Sequence, residues 1–157
     1  MNYYKRIVYL LVLVSNFIFG ADLEYYSELK NRELIVAPSV NFTGKATVDY
    51  LFPKIQTGTF GGAYVTFEPN ARTNWHIHPA GQHMIVISGI GYTQEWGKKR
   101  VTLKAGDVIW CKPGVKHWHG ASQNQPMTHL VISGVKDGKS VEWFEKVEDS
   151  VYLGKLK

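Results

Sequence analysis

The six histidines of the chain are His76, His78, His83, His117, His119 and His129, all within one window of the 157-residue sequence. Two pairs repeat one spacing: His76 with His78, and His117 with His119. In an extended strand, residues two apart point to the same face, so each pair can aim both imidazoles at one point. Pro79-Ala80-Gly81 follows the first pair and predicts a bend that brings Gln82 back within reach. Two such strands opposed inside a small barrel would gather four or more imidazoles around one centre. Ring nitrogens with an occasional oxygen suit a borderline divalent ion such as manganese, iron, zinc, nickel or copper. A thiolate zinc site is not expected. The lone cysteine, Cys111, sits in the apolar run DVIWC away from the cluster and reads as a buried thiol with no disulfide partner.

The segments that must hold these side chains read as strands. TGTFGGAYVTFEP predicts a strand ending at Glu68-Pro69-Asn70. HMIVISGIGYTQEWGKKRVTLKAGDVIWCKPGVKHWHG predicts five strands, parted by a Gly turn, a Gly-Lys-Lys tip, an Ala-Gly-Asp turn and a Lys-Pro-Gly turn; MTHLVIS adds another. Short Val-, Ile-, Tyr- and Thr-rich runs with Gly and Pro punctuation, and no sustained 3.6-residue period, point to an all-β sandwich or barrel. Residues 22–35 read as a short helix or irregular arm, and VEWFEKVEDSVYLGK can hold one short helix. Along GAYVTFEP, Ala63, Val65 and Phe67 share one face. That small apolar face fits a barrel lining, so these three and Thr73, just before the first histidine pair, are the expected pocket residues. His83 alternates away from Gln82 and should face outward. Trp75, Trp110 and Trp118 read as core fillers. Arg72 could bind a substrate carboxylate or form a structural ion pair, for example with Asp107.

Length and composition fit one globular domain: 45% of residues are hydrophobic and 13% aromatic. The formal net charge is +5, but the basic residues are dispersed apart from Lys98-Lys99-Arg100. A glycine beside that trio marks it as a solvated hairpin tip, and no nucleic-acid partner is expected. The start differs in kind. MNYYKR is basic, IVYLLVLVSNFIF is apolar and uncharged, and FGAD brings small residues and the first acid. This is the layout of a secretory signal peptide over residues 1–21, shorter than the roughly 20 apolar residues of a comfortable membrane span. Cleavage after Gly20 or Ala21 would leave residues 22–157 as one domain, periplasmic or secreted, with no membrane attachment. Ile18 or Phe19 at the −3 position departs from the small-residue rule, so an uncleaved anchor stays open.

The spacing of the histidine segments resembles the two motifs of the cupin family. In NARTNWHIHPAGQHMIVISG, residues 70–89, Asn70 stands where the first motif usually opens with Gly, His76 and His78 are its histidines, Gln82 replaces its usual Glu, and Gly89 closes it. In GDVIWCKPGVKHWHGA, residues 106–121, Gly106, Pro113, Gly114 and His117 fall in place, while Lys112 replaces a proline and Ala121 an Asn. The resemblance implies a double-stranded β-helix, or jelly-roll barrel, with His76, His78, Gln82 and His117 as ligands of one divalent metal. It also implies a homo-oligomer. Within the family, NARTNWHIHPAGQ and PGVKHWHGASQNQPMTHLVI resemble small bacterial single-domain cupins. These include manganese-dependent hydroxynitrile lyases and cupins associated with carboxymuconolactone decarboxylase-like proteins. That likeness favours manganese and adds His119 and His129 as catalytic pocket residues, His119 as proton acceptor or donor. The neutral amide of Gln82 would leave the metal one charge more positive than a glutamate would, and so a stronger Lewis acid. Two functions stand at this point. One is a metal-dependent enzyme, of lyase or dioxygenase type, acting on a small oxygenated or aromatic molecule. The other is an exported, non-enzymatic cupin that captures a metal or small ligand.

Overall fold

The first strand, β1 (Leu34–Val36), lies antiparallel on β3 (Ala46–Phe52), at the end of the segment expected as a short helix or irregular arm. A 3₁₀ turn at Leu29–Asn31 precedes it, and a two-pronged bond from Arg32 to Asp49, at 2.8 and 3.1 Å, ties the segment down. The structure, a computed structural model, describes residues 28–52 and 58–155. The expected leader at 1–21 lies outside the described residues, as do residues 22–27 of the arm. Among the described residues, no helix is long and apolar enough to cross a membrane.

The remaining strands are β2 (Phe42–Thr43), β4 (Phe60–Phe67), β5 (Arg72–Thr73), β6 (His76–Ile77), β7 (Gln82–Glu95), β8 (Val101–Lys104), β9 (Val108–Cys111), β10 (His117–Ala121), β11 (Met127–Gly134) and β12 (Glu142–Trp143). One short helix, α1 (Asp149–Tyr152), closes the chain as expected. The strands form one curled sheet with two walls. The first follows the order β1, β3, β4, β11, β7 and β9; the second joins β7 to β10 and β8, then β5 and β2, with β6 and β12 alongside. The fold is all-β and cupin-like.

The expected break at Gly89 does not occur. β7 runs on through fourteen residues, its first half paired with β9 and β11 and its second with β8 and β10. Gly89 takes a left-handed φ of 79°, and a Cβ there would run into the Pro126 carbonyl, so only glycine turns this corner without leaving the ladder. Asn70, standing where the family motif has glycine, holds φ at 69°, a conformation that Asn tolerates better than most residues.

Side-chain parity places the core. Ala63, Val65 and Phe67 of β4, Met84 and Val86 of β7, and Met127 and Val131 of β11 turn inward and are buried. Trp75 and Trp118 are buried in a second cluster with Val147 and Tyr152 beneath α1. Trp110 departs from the expected core role. It lies on the outer face, 44% exposed, and stacks on outward-facing His83 with ring centroids 4.4 Å apart. Cys111 is buried, and its thiol is pushed up to about 12, first by burial and then by the charge of Glu95.

Arg72 is structural. Its partner is not Asp107, whose carboxylate instead accepts from the Lys104 backbone N–H. The buried guanidinium donates to the Val147 carbonyl and to Asp149 at 2.5 Å, and lies 4.6 Å over the Tyr152 ring, pinning α1 to the barrel. Arg72→Ala strands a buried carbonyl and removes packing, so a loss of about 2–3 kcal/mol in urea unfolding is expected. Asp149 is largely exposed, so Asp149→Ala is expected to lower stability by less than about 1 kcal/mol.

Candidate metal centre

β6 and β10 bring the two histidine pairs together, with His76 directly opposite His117 in the antiparallel register. Their ring centroids are 4.4 Å apart, and His78 lies 5.1 Å from His76 and 5.4 Å from His117. Gln82 opens β7 just past the Pro-Ala-Gly bend, and all four side chains are buried.

Hydrogen bonding fixes what each side chain presents. The Nδ1–H groups of His76 and His117 donate to carbonyls two residues upstream, those of Asn74 at 2.9 Å and Val115 at 2.8 Å. His78 Nδ1–H donates to the Ser140 carbonyl at 2.6 Å. A carbonyl only accepts, so Nδ1 carries the hydrogen in all three rings and Nε2 is left with a lone pair. The Gln82 amide donates from Nε2 to Ser133 Oγ at 2.9 Å, which leaves Oε1 for the interior. Nε2 of His78, Nε2 of His117 and Oε1 of Gln82 are buried without a hydrogen-bond partner among the described residues. Orphaned acceptors of this kind are costly unless something electropositive joins them. Three imidazole nitrogens and one amide oxygen fit a borderline divalent metal.

His119 and His129 form a second unit. Nδ1 of His119 lies 3.1 Å from Nε2 of His129, and both rings are fully enclosed. Two nitrogens share one hydrogen there, so the pair can hold it at either end. Nε2 of His119 then presents a lone pair when His129 accepts and an N–H when His129 donates. That atom faces the cluster without a partner of its own, and the ligating nitrogens of His76, His117 and His119 lie within 4.8 Å of one another. His119 therefore belongs to the tight group, whereas His78, expected as a ligand, lies outside it; the three-histidine cluster is itself compatible with metal binding.

A cavity of about 540 Å³ opens on the cluster. Ala63, Val65 and Thr73 line it, together with His76, His78, Gln82, His119 and His129. Phe67, expected in the wall, sits behind it, with its ring centroid 5.8 Å from His119 and 5.4 Å from His129. Thr73 also steadies the pair, its hydroxyl accepting the His119 backbone N–H at 3.2 Å. The rest of the wall is mostly apolar, with Phe42, Val48, Phe52, Val131 and Trp143, and carries the uncharged polar residues Asn41, Tyr50, Ser133 and Ser140. Among the described residues, no Lys, Arg, Asp or Glu lines it.

Several contributors escaped the sequence reading. Ser133 follows His129 and Val131 at the same parity, so the alternation in MTHLVIS could have found it. Trp143 pairs opposite His76 and covers its ring at 4.9 Å, and the Ser140 carbonyl orients His78. Ser140 comes from an irregular crossing segment and Trp143 from the two-residue strand β12, too short for a sequence period to show.

Burial lowers the pKa of all five clustered histidines. His76 and His119 fall well below 6.5, with neighbouring imidazoles adding to the effect. His78 falls to about 4 and His129 to about 3. His117 is lowered too, opposed by the Val115 carbonyl and the Glu95 charge. All are neutral near neutral pH, the form in which imidazole ligates metals and accepts protons.

Known proteins resemble this chain in sequence and fold. The cupin domain family matches residues 63–133. An (R)-mandelonitrile lyase of Granulicella tundricola is 48% identical over 115 residues, which span 73% of this chain and 88% of that protein. The crystal structure of a cupin-like protein from Thermotoga maritima matches with a TM-score of 0.73 at 37% identity, over 80% of this chain and 95% of that one. The polyketide cyclase RemF from Streptomyces resistomycificus shares the fold at a TM-score of 0.64 and 16% identity, over 81% and 89% of the two chains.

The lowered pKa values make stability pH-dependent in one direction. The unfolded chain takes up protons on these histidines from about pH 6.5 downward, while the folded, metal-free protein does not. Stability present above that pH is lost as pH falls towards the folded values. Metal-free protein is expected to lose at least ~3 kcal/mol in urea unfolding between about pH 7 and about pH 5. An unchanged midpoint would contradict the burial of neutral imidazoles.

Proposed function

The chain belongs to the cupin family, and on that premise we propose that it is a metal-dependent lyase. It would cleave a small, neutral, aromatic hydroxynitrile into an aldehyde and hydrogen cyanide, and run the reverse addition. The observation that carries this reading is the set of buried, unpartnered acceptor atoms beside the His119–His129 pair, in a cavity with an uncharged, mostly apolar wall. The 48% identity to a mandelonitrile lyase supports the reaction class. The absence of charged side chains along the described wall favours a neutral substrate over a carboxylate, which would call for an arginine or lysine.

In this reading His76, His78, Gln82 and His117 hold the metal, with manganese the first candidate. When bound, the metal supplies Lewis acidity to a substrate oxygen and lowers the pKa of its hydroxyl. The residues do the rest. Nε2 of His119 takes the hydroxyl proton. Its Nδ1–H then donates to His129, whose pKa of about 3 keeps it a neutral acceptor for the imidazolium. The C–C bond to the nitrile carbon breaks, its electron pair leaves with cyanide, and the carbonyl forms. Cyanide takes up the proton that His119 holds, which restores the neutral pair. The apolar wall seats the aromatic ring and excludes water that would compete for the proton.

His119 is assigned to proton transfer and not to ligation because its Nδ1 faces a second imidazole, where the three assigned ligands face backbone carbonyls. His119→Gln and His129→Gln are expected to keep about one metal per chain and to lose ~10²-fold or more in mandelonitrile turnover, followed by benzaldehyde absorbance. Loss of metal from His119→Gln would make it a ligand. Unchanged turnover in both variants, or no cleavage by the wild type, would favour a binding module.

A further inference from the structure

Each of the four assigned ligands has one partner that orients it, and the partners are not of one kind. For His76, His78 and His117 the partner is a backbone carbonyl, which no substitution removes. For Gln82 it is a side chain, the hydroxyl of Ser133. Gln82 and Ser133 face each other in the β7–β11 register, and Ser133 is half-buried in the cavity wall.

A glutamine needs this partner more than a glutamate would. A carboxylate offers oxygen at both ends. An amide offers oxygen at one end and two N–H donors at the other, and only the oxygen can approach a cation. An acceptor on the amide nitrogen sets the oxygen inward and makes it a stronger donor, as outer partners do for metal-bound imidazoles. We infer that Ser133 is the positioning residue that makes Gln82 a metal ligand, by accepting the amide N–H and holding Oε1 towards the three histidines.

The inference rests on the reading of Gln82 as a ligand and has a signature in the sign of a mutational effect. With Gln82, Ser133 accepts and strengthens the ligand. In Gln82→Glu no N–H remains, so the serine hydroxyl must donate to the carboxylate, drawing charge away from the metal. Losing Ser133 should therefore weaken metal binding in the first background and leave it unchanged or raised in the second.

The test is calorimetric titration of metal-free protein with Mn²⁺. Ser133→Ala is expected to lower affinity about 10-fold, Ser133→Cys by less because sulfur is a weak acceptor, and Ser133→Thr to stay near wild type. In the Gln82→Glu background, Ser133→Ala should produce no loss. Thermal unfolding of the metal-free variants checks that each is folded, and the Cys and Thr variants carry the comparison if the Ala variant is not. Wild-type affinity in Ser133→Ala, or an equal loss in both backgrounds, would overturn the inference while leaving the metal reading standing. Failure of the wild type to bind Mn²⁺ would overturn both.

Discussion

Three backbone carbonyls decide which nitrogen of three buried imidazoles carries the hydrogen, and the candidate site depends on that choice. With Nδ1–H committed to Asn74, Ser140 and Val115, the Nε2 lone pairs of His76, His78 and His117 are the only acceptors these rings can offer. Burial reinforces the choice by holding the rings neutral. Buried lone pairs without partners, as on Nε2 of His78 and His117, are unfavourable by themselves. A cation bound there, as proposed, would resolve this, and the paired strands of the surrounding sheet hold the rings in place.

The sheet provides that rigidity through two devices. The long strand β7 belongs to both walls, so Gln82 at its start and the partner strand of His119 at its end are parts of one ladder. The antiparallel contact of β6 with β10 then sets His76 opposite His117. Two of the three carbonyls come from residues two positions upstream, so each cupin motif carries its own orienting group. The third, Ser140, comes from the segment that crosses over to β12, where Trp143 covers His76. The His119–His129 pair is built differently. Its two histidines face one another across neighbouring walls, and the proton they share is not assigned by any fixed acceptor. The proposed role in taking and returning a proton needs that freedom, whereas the proposed ligand role needs the opposite.

Much of this was legible in the sequence because strand parity is a local rule. The i, i+2 histidines, the inward face of Ala63, Val65 and Phe67, and the outward turn of His83 all follow from alternation. Rules of that kind failed where the chain does something non-local. Gly89 read as a turn, but the same glycine conformation lets β7 bend between two walls without breaking. Phe67 has inward parity but lies behind the histidine pair, because depth in a barrel is set by neighbouring strands and not by parity. Trp110 read as core because it is large and apolar, yet it alternates outward with His83. Arg72 found Asp149 in place of Asp107, a partner brought near only by the packing of α1. Strand β1 was missed because its three exposed apolar residues show no alternation to read.

In the proposed site, Nε2 of His76, His78 and His117 and Oε1 of Gln82 jointly hold one divalent metal. A crystal structure of the Mn²⁺-loaded protein, with anomalous data collected at the manganese edge, tests it most directly. One anomalous peak per chain is expected, bonded to those four atoms, with His119 Nε2 beside the metal but not bonded to it. A peak bonded to His76, His117 and His119 with Gln82 turned away, or no peak in the barrel, would contradict it.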